Sequence, residues 1–379
     1  MNKIPTEKSG FNPNWQIKTL NEVCNKISAG GDKPEDCTTE KTEENQIPIF
    51  SNGIKNKGLC GYTKTPAITK PALTISARGT IGFACVRYEP FFPIVRLICV
   101  IPNEKLVVLE FLCYVLQYII PQGEGTSVPQ LTIPNFKKIE IPIPPLDEQK
   151  RIASALSKID AYLENTIKLI EEKERFKRGI AKKLLTCKED ENIPEARFKG
   201  FEDEWKTKTL ENICKNIKTG KLNANAMEKD GQYRFYTCAK DYYKINTYAF
   251  DGEAILISGN GAHVGYVHYY NGKFNAYQRT YVLMDFTENI LFIKYYLDIH
   301  LKYKINIENN KGNIPYIVLN TIKDMEIKFP SLEEQEKIGG YLSLLDAEID
   351  NLKKQKELIK EMKKGAMQKL LSGEVRLLE

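Results

Sequence analysis

At 379 residues, 42% hydrophobic and 27% charged, the chain has the composition of an ordinary soluble globular protein, long enough for two or more domains with their own cores. A net charge of +6 and a pI near 8.6 permit an anionic partner without demanding one. Nine cysteines without a CxxC pair, and only three histidines (His263, His268, His300), exclude a zinc cluster and a secreted disulfide framework. No metal is expected, and the thiols read as reduced, as in a cytoplasmic protein. The opening MNKIPTEKSGFNPNW lacks the apolar core of a signal peptide. The most apolar segment, Leu106 to Ile120, is too short to span a bilayer and carries Glu110, so no membrane partner is expected.

In chain order, Trp15 to Ile27 opens the first half, and Gly30 follows. Pro66 to Pro102 is rich in Ile, Val, Phe and Thr and broken by Gly and Pro, as strands with tight loops require. Leu106 to Ile120 has the length and periodicity of a buried helix. Extended chain from Val128 to Ile141 leads to Pro144-Pro145. A helix is then predicted over Leu146 to Leu185. Its apolar stripe at Ile152, Leu156, Ile159 and Leu163 is spaced four-three-four, and Ile167, Ile170, Ile180 and Leu184 extend it. Forty proline-free residues suggest a coiled coil.

Everything then recurs. Trp205 to Ile217 and Gly220 match Trp15 to Ile27 and Gly30 without a gap, and Ile4-Pro5 and Gly10-Phe11 correspond to Ile193-Pro194 and Gly200-Phe201. Ala254 to Val267 and Ala276 to Met284 read as strands, and Asn289 to Leu301 as the helix. Ile314 to Ile327 matches Val128 to Ile141, and Pro330 precedes a second long helix from Leu332 to Leu371. Its seam runs through Ile338, Leu342, Leu345, Ile349, Leu352, Ile359, Ala366 and Leu370. Ser331 and Glu334 read as a capping box, Asp147 and Glu148 suit the positive end of the first helix, and Gly373 suits a C-cap. A period near 190 residues is too long for a solenoid and implies tandem copies of a whole domain plus helix.

The predicted architecture is mixed α/β (α+β), with two tandem globular domains, each followed by a long helix. The boundaries fall at 1–145, 146–187 (helix), 188–204 (a polar linker), 205–331 and 332–379 (helix and tail). The two seams are expected to pair as an intramolecular antiparallel coiled coil, an intermolecular pair being the alternative. Lys173 and Lys356 interrupt the seams at different places, which suits one register.

Pro-Pro-Leu-Asp-Glu-Gln (144–149) and Pro-Ser-Leu-Glu-Glu-Gln (330–335) each open a long helix ending Lys-Leu-Leu. With the Trp…Leu…Ile…Gly opening of each half and Arg-Phe-Lys-Gly-Phe (197–201), the whole chain resembles the specificity subunit of type I restriction–modification enzymes. The resemblance implies two target-recognition domains that read a bipartite, asymmetric double-stranded DNA target. It implies that the helices set the gap and dock two modification subunits, which bring S-adenosylmethionine and methylate adenine. Restriction subunits would add ATP-driven translocation and cleavage. The chain itself would carry no chemistry and no cofactor. In agreement, the sequence has no Asn/Asp-Pro-Pro-Phe/Tyr motif, no phosphate-binding G-x-x-x-x-G-K-[ST] loop and no H-x-x-x-H pair. The rivals are a coiled-coil adaptor that binds proteins rather than DNA, and an orphan recognition subunit.

DNA contact needs Lys, Arg, amides and hydroxyls for phosphates, and bidentate Arg, Asn or Gln for base edges. The loop with Ser76, Arg78 and Thr80 parallels that with Ser258, Asn260 and His263, and the tips differ as two readers of different sequences require. A strand-connecting turn is the plainer alternative. Arg96 in the first half, and Gln278 and Arg279 in the second, are further candidates, a buried ion pair or a strand-end role being the alternative for the arginines. Lys240, Tyr242, Tyr243 and Lys244 mix stacking and phosphate-seeking side chains, and Asn52 to Lys57 (with Lys55) and Tyr62 to Lys64 occupy the corresponding area of the first half.

Overall fold

The computed structural model describes residues 11–120, 131–189, 191–308 and 315–377. The sequence matches at Ile4-Pro5 and Gly10, at Val128 to Gln130 and at Ile314 lie outside those residues. Two units form, 1–167 with 355–379 and 168–354, so each takes one part of both long helices.

Unit 1 begins with β1 (Gln16–Thr19), the single turn α1 (Leu20–Val23) and β2 (Cys24–Ala29). Glu22 accepts a 2.7 Å hydrogen bond from the Thr19 N–H, which fixes this turn. There follow β3 (Ile47–Phe50), β4 (Leu59–Thr63), β5 (Ala72–Ile75), β6 (Ala84–Arg87), β7 (Phe92–Pro93) and β8 (Ile98–Pro102). They form an antiparallel sheet in the order β2-β8-β5-β6 and a smaller one in the order β4-β3-β7. Helix α2 (Leu109–Ile119) lays Phe111, Leu112, Val115 and Leu116 on Leu73, Ile75, Ile98 and Val100. After α3 (Ile133–Lys137), β9 (Glu140–Ile143) pairs with β1 and hands the chain to α4 (Leu146–Leu185).

Unit 2 repeats the plan with β10 (Lys206–Thr209), α5 (Leu210–Ile213), β11 (Cys214–Thr219), β12 (Tyr233–Tyr236), β13 (Tyr243–Ile245), β14 (Phe250–Ser258), β15 (Val267–Ala276) and β16 (Thr280–Phe286). Here one sheet holds the order β11-β16-β14-β15-β12-β13. Helix α6 (Ile290–Glu308) covers it through Phe292, Ile293, Leu297 and Leu301. Then come α7 (Leu319–Lys323), β17 (Glu326–Phe329), which pairs with β10, and α8 (Leu332–Ser372). The stretch from Ala254 to Val267, read as strand, holds the end of β14, a turn over 259–266 and the first residue of β15. Gly261 and Gly265 take φ of +81° and +76° and reverse the chain, so that Ile257 pairs with Val267. The segment from Ala276 to Met284 likewise divides at the turn 277–279.

In each unit the long helices run antiparallel. In unit 1, Ile152 and Leu156 of α4 share a core with Leu370 and Leu371 of α8, which places Ile152 opposite the end of the second seam. In unit 2, Ala181, Leu184 and Leu185 share a core with Ile338, Leu342 and Leu345. Ile349 is buried too, while Ile159, Leu163 and Leu352 are half-buried. Ile167 is exposed, against expectation: a strict heptad continues from Leu163 to Thr166 and Ile170, and those two are buried.

A duplicated polar clasp fixes this pairing. In unit 1, Asp160 on α4 accepts from Lys363 on α8 (2.6 Å) and from the Tyr114 hydroxyl on α2 (2.8 Å). In unit 2, Asp346 on α8 accepts from Lys177 on α4 and from the Tyr295 hydroxyl on α6 (2.7 Å). Burial alone would raise the Asp346 carboxyl, but the hydrogen bonds from Lys177 and Tyr295 outweigh it and hold the group below its usual range.

A second duplicated pair seats the start of each long helix. Glu148 and Glu334 are buried (1% and 0% exposed) at the same place in each motif. Glu148 accepts from Arg376 Nε–H and Nη2–H at 2.6 and 2.7 Å. Glu334 accepts from Arg197 at 2.9 and 2.7 Å. The capping box expected from Ser331 and Glu334 gives way to this bidentate pair, which is the stronger interaction for an ionised carboxylate. Arg197 lies in the stretch read as a linker, whose Ala196 and Phe198 pack on the core of unit 2. The neighbouring Gln149 and Gln335 each donate to the carbonyl of the proline five residues before, Pro144 (2.8 Å) and Pro330 (3.0 Å).

All three histidines fall in unit 2. His268 Nε2 lies 2.9 Å from the Ala239 carbonyl and His300 Nε2 lies 2.8 Å from that of Leu185, and burial lowers both imidazoles. A lowered folded value gives stability that is present above the unfolded value of about 6.5 and lost as pH falls through the folded one. Moving from pH 7.5 to 5.5 is therefore expected to weaken amide-exchange protection around α6 and β15 and to spare unit 1. Equal loss in both units would refute this.

Candidate nucleic-acid interface

In both units the loops at one end of the sheet close around a cavity, and the chain builds it by the same backbone contacts. After β2, Gly30 donates to the Leu97 carbonyl at 2.8 Å; after β11, Gly220 donates to that of Thr280 at 3.2 Å. Both must be glycine. A Cβ on Gly30 would lie 2.6 Å from the Pro93 carbonyl carbon, and one on Gly220 would lie 1.9 Å from the Ala276 oxygen. After β5, Ala77 accepts from Leu131 at 3.2 Å; after β14, Gly259 accepts from Ile317 at 2.8 Å. These matches equate Arg78 with Asn260, Val95 with Gln278 and Arg96 with Arg279.

The unit 1 cavity, about 510 Å³, is lined by Ala29 to Lys33, Arg78, Val95 and Arg96. Val95 and Arg96 both adopt left-handed backbone, φ +53° and +57°, a conformation that costs a branched residue roughly 1–3 kcal/mol. The strain is held by the Val95 and Arg96 N–H groups, which donate to Gly31 (2.8 Å) and Gly30 (2.9 Å), and it turns both side chains outward. The unit 2 cavity, about 370 Å³, is lined by Thr219, Gly259, Asn260, Gln278, Arg279, Tyr281, Tyr316 and Ile317.

Of the residues nominated from sequence, Arg78 and Arg96 thus meet in one cavity, and Asn260, Gln278 and Arg279 in the other. Arg96 and Arg279 are exposed, which removes the buried ion pair as their role. Ser76 and Ser258 are buried; the Ser76 hydroxyl accepts from the Gly53 N–H at 3.2 Å, so both serines face the interior of their loops. Thr80 and His263 are half-buried outside the two linings. Lys64 pairs with Glu44 at 2.5 Å, and Lys55 sits on an exposed turn. Tyr242, Tyr243 and Lys244 line a separate hollow of about 650 Å³ with Met227 and Asp241, and Lys240 is exposed beside them. Arg234 is stacked between Tyr242 and Tyr270, 4.3 Å from each ring.

Sequence reasoning missed Asn52 as an organiser. Its amide donates to the Val95 carbonyl (2.6 Å) and accepts from the Ala77 N–H (2.8 Å), so one side chain ties the Arg78 loop to the Arg96 turn. Asn52→Leu leaves that N–H unsatisfied, at a cost of about 1–3 kcal/mol, and should speed tryptic cleavage after Arg78 and Arg96. Unchanged cleavage rates would show that the loops hold without it. Lys33, Tyr281 and Tyr316 were also missed; only the repeated Gly30 and Gly220 pointed to their neighbourhood. Among the described residues no group of His, Cys, Asp and Glu could hold a metal, and no helix is long and apolar enough to cross a membrane.

The family model described as the type I restriction modification DNA specificity domain matches this chain twice, over residues 12–172 and 202–361. The chain belongs to that family. Each specificity domain so matched takes in one globular part and most of the helix after it. The specificity subunit of the type I restriction enzyme EcoDI of Escherichia coli is 41% identical over 170 residues, 45% of this chain and 37% of that one. A putative type I specificity subunit of Mycoplasma pneumoniae is 36% identical over 153 residues, 39% of this chain and 45% of that one. The match thus spans less than half the length of either relative. The crystal structure of the S subunit of a type I restriction–modification system from M. genitalium superposes with a TM-score of 0.67 at 20% identity, covering 98% of this chain and 99% of that one, and so shares the fold.

Proposed function

We propose that this chain is the DNA sequence-recognition subunit of a type I restriction–modification complex, with target-recognition parts at 1–145 and 205–331. The observation that carries the reading is the pair of equivalent cavities whose matched positions hold different side chains, Arg78 and Val95 in one, Asn260 and Gln278 in the other. Two copies of one scaffold with unlike tips suit a target with two unlike halves. The chain works by binding alone: arginines and backbone amides engage phosphates, and side chains at the loop tips meet base edges. Two modification subunits dock on the long helices and bring the methyl donor, and restriction subunits join them; the complex acts in the cytoplasm.

Mapping methylated adenines in the host genome with and without the gene tests this. A bipartite motif that disappears with the gene is the expected result. With purified chain, DNA affinity should fall linearly in log–log terms with rising salt, as phosphate neutralisation requires. Protein partners retained at every salt concentration, with no DNA retained at any, would favour the adaptor instead.

A further inference from the structure

The inference rests on the reading of the two cavities as base-recognition sites, and concerns which bases they take. The backbone equivalence separates the lining into shared and divergent positions. Arg96 and Arg279 are shared: each directly precedes the residue whose carbonyl receives the Gly30 or Gly220 N–H. A group that is the same in both copies cannot tell two different half-sites apart, but phosphate is common to any sequence, and a guanidinium suits it. The divergent positions are Arg78 against Asn260, and Val95 against Gln278.

Their chemistry is unlike. A guanidinium presents two parallel N–H donors, which match the O6 and N7 acceptors of guanine in the major groove. A carboxamide presents one donor and one acceptor, which match N7 and the N6 amino group of adenine. Unit 2 offers two carboxamides on adjoining loops and no guanidinium at these positions. Unit 1 offers a guanidinium and, in Val95 at 49% exposure, an apolar surface suited to the methyl group of thymine. The left-handed backbone at Val95 is what holds that apolar side chain in solvent, where burial would otherwise be favoured.

We propose that Asn260 and Gln278 select adenine in the half-site read by unit 2, that Arg78 selects guanine in the half-site read by unit 1, and that Arg96 and Arg279 grip phosphate without choosing a base. The test is selection of bound duplexes from a randomised double-stranded library by the full chain, wild type and variants. Asn260→Ala should lower the preference for adenine at one position roughly tenfold or more, as loss of one bidentate pair predicts. Asn260→Arg should replace that adenine by guanine and leave the other half-site untouched. Arg78→Gln should convert guanine to adenine in the other half only. Arg279→Gln should weaken selected and scrambled duplexes by the same factor, with an unchanged motif. A wild-type motif that Asn260→Arg and Arg78→Gln leave unaltered, or alter in both halves, overturns the base assignment while DNA reading stands. No enriched motif from the wild-type chain overturns DNA reading and this assignment together. Melting curves that match wild type show that each variant is folded.

Discussion

Replacing Arg197 by Leu is expected to destabilise unit 2 by about 3–5 kcal/mol, because it strands the carboxylate of Glu334 in a dry site. The side chain of Glu334 is fully buried and that of Arg197 is 13% exposed, so water cannot take the place of the two lost hydrogen bonds. Arg197 also holds the Asp203 carbonyl at 2.7 Å, and that contact is lost with it. For a unit of this size, such a loss lowers its melting transition by roughly 10 °C. The double variant Arg197→Leu/Glu334→Leu should recover much of the loss, because neither charge is then buried alone. Unfolding of the single variant within about 1 kcal/mol of wild type would mean that the pair is hydrated and that the helix start is held by packing alone.

The second large effect concerns a glycine. Gly220→Ala puts a methyl carbon 1.9 Å from one backbone atom and 2.2 Å from the next, both in Ala276. No flexible side chain can give way there, so the 276–279 turn must move, at or above the upper end of the roughly 1–3 kcal/mol that overpacking costs. That turn carries Gln278 and Arg279, and DNA binding should fall with it. Gly179→Ala on α4, outside both cavities, is the control: nothing lies within 4 Å of its Cβ, and it should melt no lower than wild type and bind DNA as wild type. Equal behaviour of the two variants would show that the 276–279 turn adapts freely.

Much of this architecture was legible because its signals are periodic or repeated. The seams of α4 and α8 follow one heptad spacing, and their recurrence in a single chain pointed to pairing without any structural information. The loop tips were found for a similar reason: glycine spacing marks a turn whatever it carries, and comparison of the copies showed which positions differ. Residue type failed where burial decides the role. Ser76 and Ser258 look like surface hydroxyls in a polar loop, yet the strands carry them inward. Polar contacts between distant parts of the sequence left no trace, unlike the apolar seams. Arg376 is 228 residues from Glu148, and neither motif announces the other. Asn52 acts on backbone groups, which every residue has, so no pattern in its partners could reveal it.

The chain closes unit 1 on itself, since the Asn12 N–H donates to the Ser372 carbonyl at 2.7 Å and Leu370 and Leu371 complete the core around Ile152 and Leu156. During synthesis Leu370, Leu371 and Ser372 are made only after the whole of residues 168–354. Residues 168–354 contain all the partners of their own core, whereas the earlier part must wait for residues 355–372, with an apolar helix face open to water and to other chains. Chains interrupted near Gln355 would keep a finished second unit attached to an unfinished first one. Quality control would see such products as half-native, with their exposed surface at Ile152 and Leu156.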